Sequence, residues 1–409
     1  MESFKWVCFI SIIVVFFGCT SKAVDSDKNQ ATVTSYPTKT IVMENLKRPW
    51  SMAFLSKEEA LLAEKDGDLL LLNLKSKTKQ IISGFPADLA DSLLIKENNY
   101  PKGTYPRGSD GFKGKYNAGI FDIVLDPDYR DNKWVYISYV SEEDQKYATK
   151  VIRTKIDNNK LTQIEQLLLV LPYSDGLFHF GGGMLFGDDE KLYITAGERL
   201  FGDSLQPILP IAQNYKDRRG KIYCINSDGS IPDDNPVFEE EAIEGVYALG
   251  IRAAQGLTKD PRNGRIWFSE HGTTQGDELN LLDAGANYGW PIKSTGGYRG
   301  GYKPPNLARE YTDPMWSWYK TIAPTGLTFY TGKQFPRWKN NLIVPGLSKG
   351  NFWRLVIEDK TILSVEELFI NNRHRTRKAV QGLDGELYIL TDEENGKIIR
   401  IDNSSQLPQ

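Results

Sequence analysis

The chain has 409 residues, with 50 Lys and Arg against 53 Asp and Glu, a net charge of −3 and 11% aromatic residues. This ordinary globular composition excludes a wholly disordered chain, and the lack of a basic excess argues against a nucleic-acid-binding protein. The 36 Gly and 20 Pro, together with many Tyr, Trp and Phe, favour strands and turns over helices.

The N-terminus has the pattern of an export signal. Lys5 precedes an apolar run at residues 6–17, which is too short to span a bilayer as a helix. The run ends at Gly18-Cys19, which resembles the bacterial lipobox, where the cysteine is lipidated. We therefore expect a signal peptide at residues 1–18 and a lipoprotein of the bacterial cell envelope, held to the membrane only through a lipid on Cys19. A plain secretory signal is the alternative.

Residues 19–40 are rich in Ser, Thr, Lys and Asp, and this composition predicts a flexible tether. From residue 41 onward, short apolar, β-branched or aromatic runs are bounded by turn residues, and no clear helical periodicity extends over three turns. A polar turn followed by an aliphatic and aromatic strand recurs, for example at residues 263–267 and 384–388. We therefore predict an all-β domain at residues 41–403 and a tail at 404–409.

A propeller of four-stranded blades accounts best for these irregularly spaced strands. Roughly 364 residues follow the leader, which suits six blades of about 61 residues or seven of about 52, so the count alone leaves the blade number open. A β-sandwich is the weaker alternative. Two polar, Gly-rich stretches, 96–117 and 293–313, are predicted to be loops inserted on one face.

Only three histidines occur in the chain, and His179 is followed closely by three glycines. A neutral imidazole there would suit a general base near pH 7, although the spacing alone favours a structural histidine. His271 and His374 are open to the same two interpretations. No histidine pair has zinc spacing, and no nucleophile elbow or phosphate loop occurs, which disfavours zinc enzymes and nucleotide cofactors.

Two further segments carry charged groups in a suggestive arrangement. Residues 270–280 are dense in carboxylates and small turn residues, which suit Ca²⁺, although the order is not that of an EF-hand. Arg375 and Arg377 lie two residues apart, so in an extended segment both would face one side and could hold a polyanion. A solvated charged edge is the alternative.

Taken together, these segments resemble the glucose/sorbosone dehydrogenase family, soluble quinoproteins that oxidise sugars with pyrroloquinoline quinone (PQQ). The resemblance covers residues 46–401 and implies a six-bladed β-propeller of four-stranded antiparallel blades. It is carried, in chain order, by residues 48–55, 119–129, 179–182, 220–222, 226–236, 248–257, 269–272, 276–281 and 286–291.

The resemblance implies roles for individual residues. His179 matches the base that removes the proton of the anomeric hydroxyl, and Glu198 matches the carboxylate that orients it. Residues matched to contacts with PQQ or near the substrate are Arg252, Gln255, Arg375, Arg377, Lys349 and, more weakly, Asn117. Trp318 or Tyr319 matches an aromatic wall.

The resemblance also implies calcium. Gly272 and Thr273 match positions whose backbone carbonyls hold the Ca²⁺ that polarises the quinone. Asp277, Glu278 and Tyr288 match a second, structural Ca²⁺ site.

The chain departs from the family pattern at four positions. Ala253 replaces the Asn after the cofactor arginine, Gly183 replaces an Arg, and Thr273 replaces a Pro. Ser348 stands where a Lys is usual, with Lys349 one position later, an offset that would reverse the side chain's face on a strand.

The leading hypothesis is PQQ- and Ca²⁺-dependent oxidation of the C1 hydroxyl of an aldose to a lactone, with electrons passed to an external acceptor. The departures keep two alternatives open: a non-catalytic propeller that binds a glycan or a protein, and a calcium-dependent lactonase. The sequence leaves the sugar, the electron acceptor and the oligomeric state open.

Overall fold

The computed structural model describes residues 36–95, 113–114, 117–200, 208–238, 241–298, 302–348, 350–369 and 374–404. These residues form six four-stranded antiparallel sheets arranged as the blades of a propeller. The predicted fold class is confirmed, and both the seven-bladed count and the β-sandwich are excluded.

The strands are numbered in chain order. Blades one to three consist of β2–β5 (Pro49–Phe54, Glu59–Glu64, Leu69–Asn73, Thr78–Ile82), β8–β11 (Ile120–Leu125, Val135–Glu143, Lys146–Asp157, Lys160–Leu169) and β12–β15 (Gly181–Phe186, Leu192–Ala196, Lys221–Ile225, Val246–Leu249). Blades four and five consist of β16–β19 (Ala254–Lys259, Ile266–Glu270, Asp277–Leu281, Trp316–Trp318) and β20–β23 (Thr328–Phe329, Leu342–Pro345, Phe352–Glu358, Thr361–Leu368). Blade six combines β24–β26 (Thr376–Gln381, Leu387–Thr391, Gly396–Ser404) with β1 (Tyr36–Leu46).

Little regular secondary structure lies outside the blades in the described residues. A small hairpin pairs β6 with β7 (Leu93–Leu94 and Lys113–Gly114). The only α-helix in these residues is the single turn α1 (Tyr129–Asn132), and 3-10 turns occur at Ile211–Gln213 and Pro336–Trp338. None of the described helices is long and apolar enough to cross a membrane.

The innermost strands of the six sheets are β2, β8, β12, β16, β20 and β24, and neighbours among them, such as β2 with β8 and β12 with β16, contact one another around the propeller axis. The side chains between adjacent blades are apolar and buried, so the core is a ring of separate clusters and not one central mass. Cys224 belongs to this core, as predicted for an inert thiol, and burial raises its pKa to about 11.

The ring is closed by β1, which pairs antiparallel with β26 from Tyr36 opposite Ser404 to Leu46 opposite Gly396. The strand begins five positions before the predicted domain boundary at 41, so residues 36–40 belong to the blade. Met43 and Leu46 of β1 are buried against Tyr388 and Ile398, and this burial explains why the strand is held in place.

Gly119, just before β8, has a φ of +86° where only glycine is relaxed. A β-carbon at this position would overlap the Lys65 carbonyl. Gly119→Ala is therefore expected to lower the free energy of unfolding by about 3 kcal/mol or more, measured by urea denaturation. Gly297→Ala is the control, because its added carbon has no heavy atom of the described residues within 4 Å apart from its own chain neighbours. Equal stability of the two variants would contradict the prediction.

Candidate active site

His179 and Glu198 lie together at one end of blade three. His179 precedes β12, Glu198 follows β13, and the antiparallel register, Gly181 opposite Ala196, brings their side chains to the same end of the sheet. The His179 Nδ1 lies 2.6 Å from Glu198 Oε1, and the two side chains are 11% and 0% exposed. Gly197 allows this close approach, since a β-carbon there would overlap the His179 carbonyl. The structure thus pairs the two residues that the sequence predicts to act together.

The environment keeps His179 neutral. Burial and the positive charge of Arg252 lower its pKa to about 4, although Glu198 acts in the opposite direction. Because an ionised Glu198 only accepts hydrogen bonds, it fixes the proton on Nδ1 and leaves the lone pair on Nε2. A base with a fixed tautomer is the result.

Arg377 is a buried cation at the start of β24. Its side chain is 4% exposed, Nη2 lies 2.5 Å from Asp392 Oδ2, and Nη1 donates to Gln255 Oε1 at 2.7 Å. The guanidinium carbon lies 3.7 Å from the centre of the Trp50 ring. Arg377 and Gln255, both predicted to bind the cofactor, are therefore in direct contact.

Asp392 organises this side of the site. Its Oδ2 also lies 3.6 Å from Arg375 Nη2, and the Arg375 side chain is 54% exposed. Burial alone would raise the pKa of Asp392, but Arg377 and Lys65 hold it below its ordinary value. Lys65 is itself buried, which lowers its pKa to about 8. The Asp392 carboxylate is thus the counter-charge of three cations, Arg375, Arg377 and Lys65. These four side chains together carry a net positive charge.

Arg252 is the third predicted cofactor arginine, and it follows β15 across the site. Its Nη1 donates to the His271 carbonyl at 2.9 Å, and its guanidinium lies 5.1 Å from the centre of the Trp290 ring. The carboxylate of Glu270 accepts from the backbone N–H of Arg252 and, at 3.1 Å, from that of Ala253. These bonds fix the backbone at the position where the family has Asn and this chain has a buried Ala253.

His271 lies beside Arg252, which donates to its backbone carbonyl. Burial and the charges of Arg252 and Arg377 lower its pKa to about 3, so the ring is neutral. Its Nε2 is buried and has no hydrogen-bond partner in the described part of the chain. A bare acceptor among cations is suited to a ligand that donates a hydrogen bond.

Beneath the arginines, a small polar cavity lies on the propeller axis. Its lining includes Trp50, Gln255 and Arg377, together with Asp122 and Lys378. Lys378 Nζ forms an ion pair with Asp122 and contacts Ser51 Oγ at 3.1 Å. Lys378 and Asp122 neutralise each other at the bottom of the site. The excess positive charge therefore comes from the arginines and Lys65.

Asp277, a predicted metal ligand, accepts backbone hydrogen bonds from Gly272 at 2.8 Å and from Ile322 and Ala323, both at 2.7 Å. Its carboxylate braces the turn that contains Gly272 and Thr273.

The other two residues of the predicted second calcium site have protein partners as well. Glu278 accepts from the Thr295 hydroxyl at 2.7 Å and is paired with Glu270 on the neighbouring strand β17. Tyr288 donates to the Leu281 carbonyl at 2.5 Å. Over the residues that the structure describes, no cluster of three His, Cys, Asp or Glu side chains could hold a metal ion. Calcium therefore remains a prediction.

The remaining predicted positions are less informative. Asn117 lies partly exposed in the turn before β8, Trp318 is buried in a blade, and Tyr319 is 83% exposed. Ser348 lies in a turn after β21 and not on a strand, so the offset of the neighbouring lysine does not imply a reversed face. Lys349 and Cys19 lie outside the described residues.

Comparison with known proteins now identifies the class. The family model for glucose/sorbosone dehydrogenases matches residues 46–400, and the chain belongs to this family. The aldose sugar dehydrogenase YliI of Escherichia coli is 26% identical over 370 residues, which cover 88% of this chain and 91% of that protein. Quinoprotein glucose dehydrogenase B of Acinetobacter calcoaceticus is 25% identical over 434 residues, covering 87% and 85% of the two chains. A crystal structure of a glucose dehydrogenase superimposes with a TM-score of 0.77 at 29% identity, covering 90% of this chain and all of the other.

Proposed function

We propose that this protein is a PQQ-dependent aldose dehydrogenase that oxidises the C1 hydroxyl of a sugar to a lactone and passes electrons to an external acceptor. The observation that carries the proposal is a neutral histidine, tied to a buried carboxylate, beside three arginines on one face of the ring. The similarity to an aldose sugar dehydrogenase and to a quinoprotein glucose dehydrogenase supports the same substrate class.

The described residues fit PQQ. The cofactor carries three carboxylates, and the site has surplus positive charge from Arg252, Arg375, Arg377 and Lys65. The unpartnered Nε2 of His271 adds an acceptor for a polar N–H or O–H group. Arg252, Arg375, Arg377 and Gln255 would hold the cofactor, as would Lys349, which lies outside the described residues. When bound, PQQ would supply the two-electron acceptor that loss of hydride from C1 requires.

His179 acts on the proton. Its Nε2 accepts the proton of the C1 hydroxyl, which makes the departure of hydride from that carbon favourable. Glu198 holds the ring in the tautomer that leaves Nε2 free and stabilises the imidazolium that forms. Arg252, whose positive charge acts on the His179 ring, would stabilise negative charge that develops beside the histidine during the reaction.

Calcium and export belong to the proposal as well. We place Ca²⁺ at the carbonyls of Gly272 and Thr273, where Asp277 holds the Gly272 peptide in a fixed orientation. Chelation should then lower turnover, and added Ca²⁺ should restore it. The second site at Asp277, Glu278 and Tyr288 is proposed on family resemblance alone.

The proposal also includes lipidation of Cys19 and location in the cell envelope. Mass spectrometry of the membrane fraction tests both.

The central experiment is reconstitution. Purified protein is titrated with PQQ and Ca²⁺, binding is followed by calorimetry, and dye reduction is assayed with a panel of aldoses. Calorimetric binding and aldose-dependent dye reduction are the expected results. Failure of both would overturn the proposal, and hydrolysis of lactones without PQQ would favour the lactonase.

The acid limb of the pH profile should lie lower than for an ordinary histidine, whose pKa is about 6.5. Burial is the main cause of the low pKa of His179 and persists when an anionic cofactor offsets Arg252. We expect kcat/KM to remain level from about pH 8 to about pH 6 and to fall below that, as the imidazole becomes protonated. Glu198→Ala should shift the limb further to acid, since Glu198 raises the pKa. An apparent pKa of about 6.5 or more in the wild-type protein would contradict the assignment.

A further inference from the structure

Arg199, the residue after Glu198, is a buried cation to which the proposed mechanism gives no role. It is 2% exposed, and its guanidinium donates to main-chain carbonyls. Nε donates to the Phe178 carbonyl at 3.2 Å, Nη1 to the Tyr147 carbonyl at 2.6 Å, and Nη2 to the Gly176 carbonyl. Because burying a charged group is costly, an arginine directed at main-chain oxygens calls for an explanation.

These contacts surround the segment that carries His179. Two of the accepting carbonyls precede the histidine in the chain, and the Phe180 ring, whose centre lies 3.5 Å from the guanidinium carbon, follows it. The main-chain N–H of Arg199 also donates to the His179 carbonyl at 3.3 Å. Tyr147 belongs to β10, so the same guanidinium ties this segment to blade two. Arg199 therefore contacts residues on both sides of the proposed base.

The main chain at the histidine has a conformation that needs restraint. His179 has a φ of +53° and Arg199 a φ of +74°, in the left-handed region that residues with a β-carbon seldom adopt. Such conformations are unfavourable and persist only where the surrounding contacts enforce them. The hydrogen bond between Glu198 and the ring restrains the side chain but not the main chain from which the ring extends. A restraint on the main chain must come from other contacts.

We infer that Arg199 is a positioning residue for the proposed general base: its guanidinium holds residues 176–180 in the conformation that brings His179 Nδ1 to Glu198. Two neighbouring residues thus act on the same histidine, Glu198 through its ring and Arg199 through its main chain. The planar guanidinium donates in several directions at once, a fork that the ammonium of a lysine does not reproduce. The inference rests on the proposed function.

The first test reads the tautomer of the histidine ring in the PQQ-free protein at neutral pH. The chain has only three histidines, so ¹⁵N labelling of histidine gives a simple spectrum in which the protonated nitrogen of each ring is identified. In the wild type, His179 should carry its proton on Nδ1 alone. Arg199→Lys should give a mixture of the two tautomers at His179, because the ring no longer lies against Glu198, while the spectrum of His374 should not change. A single, unchanged tautomer at His179 would overturn the inference.

The second test is kinetic. Arg199→Lys should lower kcat about 10²-fold, because a base displaced by about 1 Å loses roughly that factor. The affinity for PQQ, measured by calorimetry, should stay nearly the same, since Arg252, Arg375 and Arg377 are untouched. A parallel loss of PQQ affinity would show damage to the whole site and would also overturn the inference.

Arg199→Gln is the second variant, in case the lysine variant does not fold. Its neutral amide keeps two N–H donors and does not leave a buried ammonium with incomplete hydrogen bonding. The same mixture of tautomers at His179 and the same loss of kcat are expected.

Arg219→Gln is the matched control. Arg219 is also 2% exposed and lies in the same connection between β13 and β14, but its guanidinium pairs with Asp217, with Nε 2.9 Å from Oδ1 and Nη2 2.7 Å from Oδ2. This variant should lower the free energy of unfolding, measured by urea denaturation, without changing kcat or the tautomer of His179. Equal changes in the Arg219 and Arg199 variants would identify a general structural role and overturn the inference.

These readouts separate the inference from the proposed function. The tautomer is measured without PQQ, so failure of PQQ binding or of aldose oxidation in the wild type counts against the proposed function alone. A wild type that oxidises aldoses, combined with an unchanged tautomer in both Arg199 variants, would overturn the inference alone.

Discussion

His179→Ala is expected to lower kcat by about 10²–10⁴-fold while leaving the affinity for PQQ nearly unchanged. In the proposed mechanism the imidazole is the base, whereas the positive charge that would hold an anionic cofactor comes from Arg252, Arg375 and Arg377 and is unchanged in this variant. The measurements are steady-state dye reduction with saturating PQQ and calorimetry of PQQ binding.

Two variants make this result interpretable. Arg252→Ala should weaken PQQ binding, because it removes one of the positive charges proposed to hold the cofactor. His374→Ala serves as a matched histidine control: its Nδ1 lies 3.0 Å from Glu393 Oε1, which repeats the histidine–carboxylate pairing outside the proposed proton path. Equal loss of PQQ binding in the His179 and Arg252 variants would show that His179 is structural, as would equal loss of kcat in the two histidine variants.

Asp392→Ala is expected to lower the free energy of unfolding by about 3–5 kcal/mol, because it leaves Arg377 buried without its counter-charge. Both side chains are almost fully buried, at 4% and 5% exposure, so solvent does not replace the lost carboxylate. The measurement is urea denaturation of the PQQ-free protein at neutral pH. The low pKa of Asp392 means that this stabilisation is complete at neutral pH and is lost only as the pH falls through that pKa.

Glu394→Gln is the control for this change. Glu394 also pairs with an arginine, Arg48 at 2.8 Å, but its side chain is 86% exposed, so the expected effect is below about 1 kcal/mol. PQQ should stabilise the Asp392 variant more than the wild type, since its carboxylates then provide the only counter-charge for Arg377. Wild-type stability in the Asp392 variant would refute the role given to this ion pair.

The sequence predicted the ring of blades because turn residues and strand residues alternate along the chain, but it left the number of blades to family resemblance. The pairing of His179 with Glu198 followed from the same resemblance, and the hairpin of β12 and β13 explains it physically. Asp392 was not predicted, because its meeting with Arg377 depends on the register of β24 and β25, which no local pattern encodes.

Other features show why side-chain roles need coordinates. Arg375 and Arg377 were expected to face one side together, and both do lie near Asp392. Arg377 is buried, however, whereas Arg375 is half exposed, because Arg375 precedes the strand. Asp277 carries the charge of a metal ligand, but three backbone N–H groups already occupy its carboxylate. The sequence contains the residue type but not the state of its hydrogen bonds.

The pairing of β1 with β26 has a consequence for how the molecule comes apart. In a linear array of repeats, the terminal units can unravel alone, because each contacts only one neighbour. Here the first and last strands, β1 and β26, share one sheet, so fraying of either strand breaks the same ladder and opens the whole circle. The protein should therefore melt in a single cooperative transition, and a circular permutant with new ends between two blades, whose terminal strands no longer share a sheet, should lose part of that cooperativity.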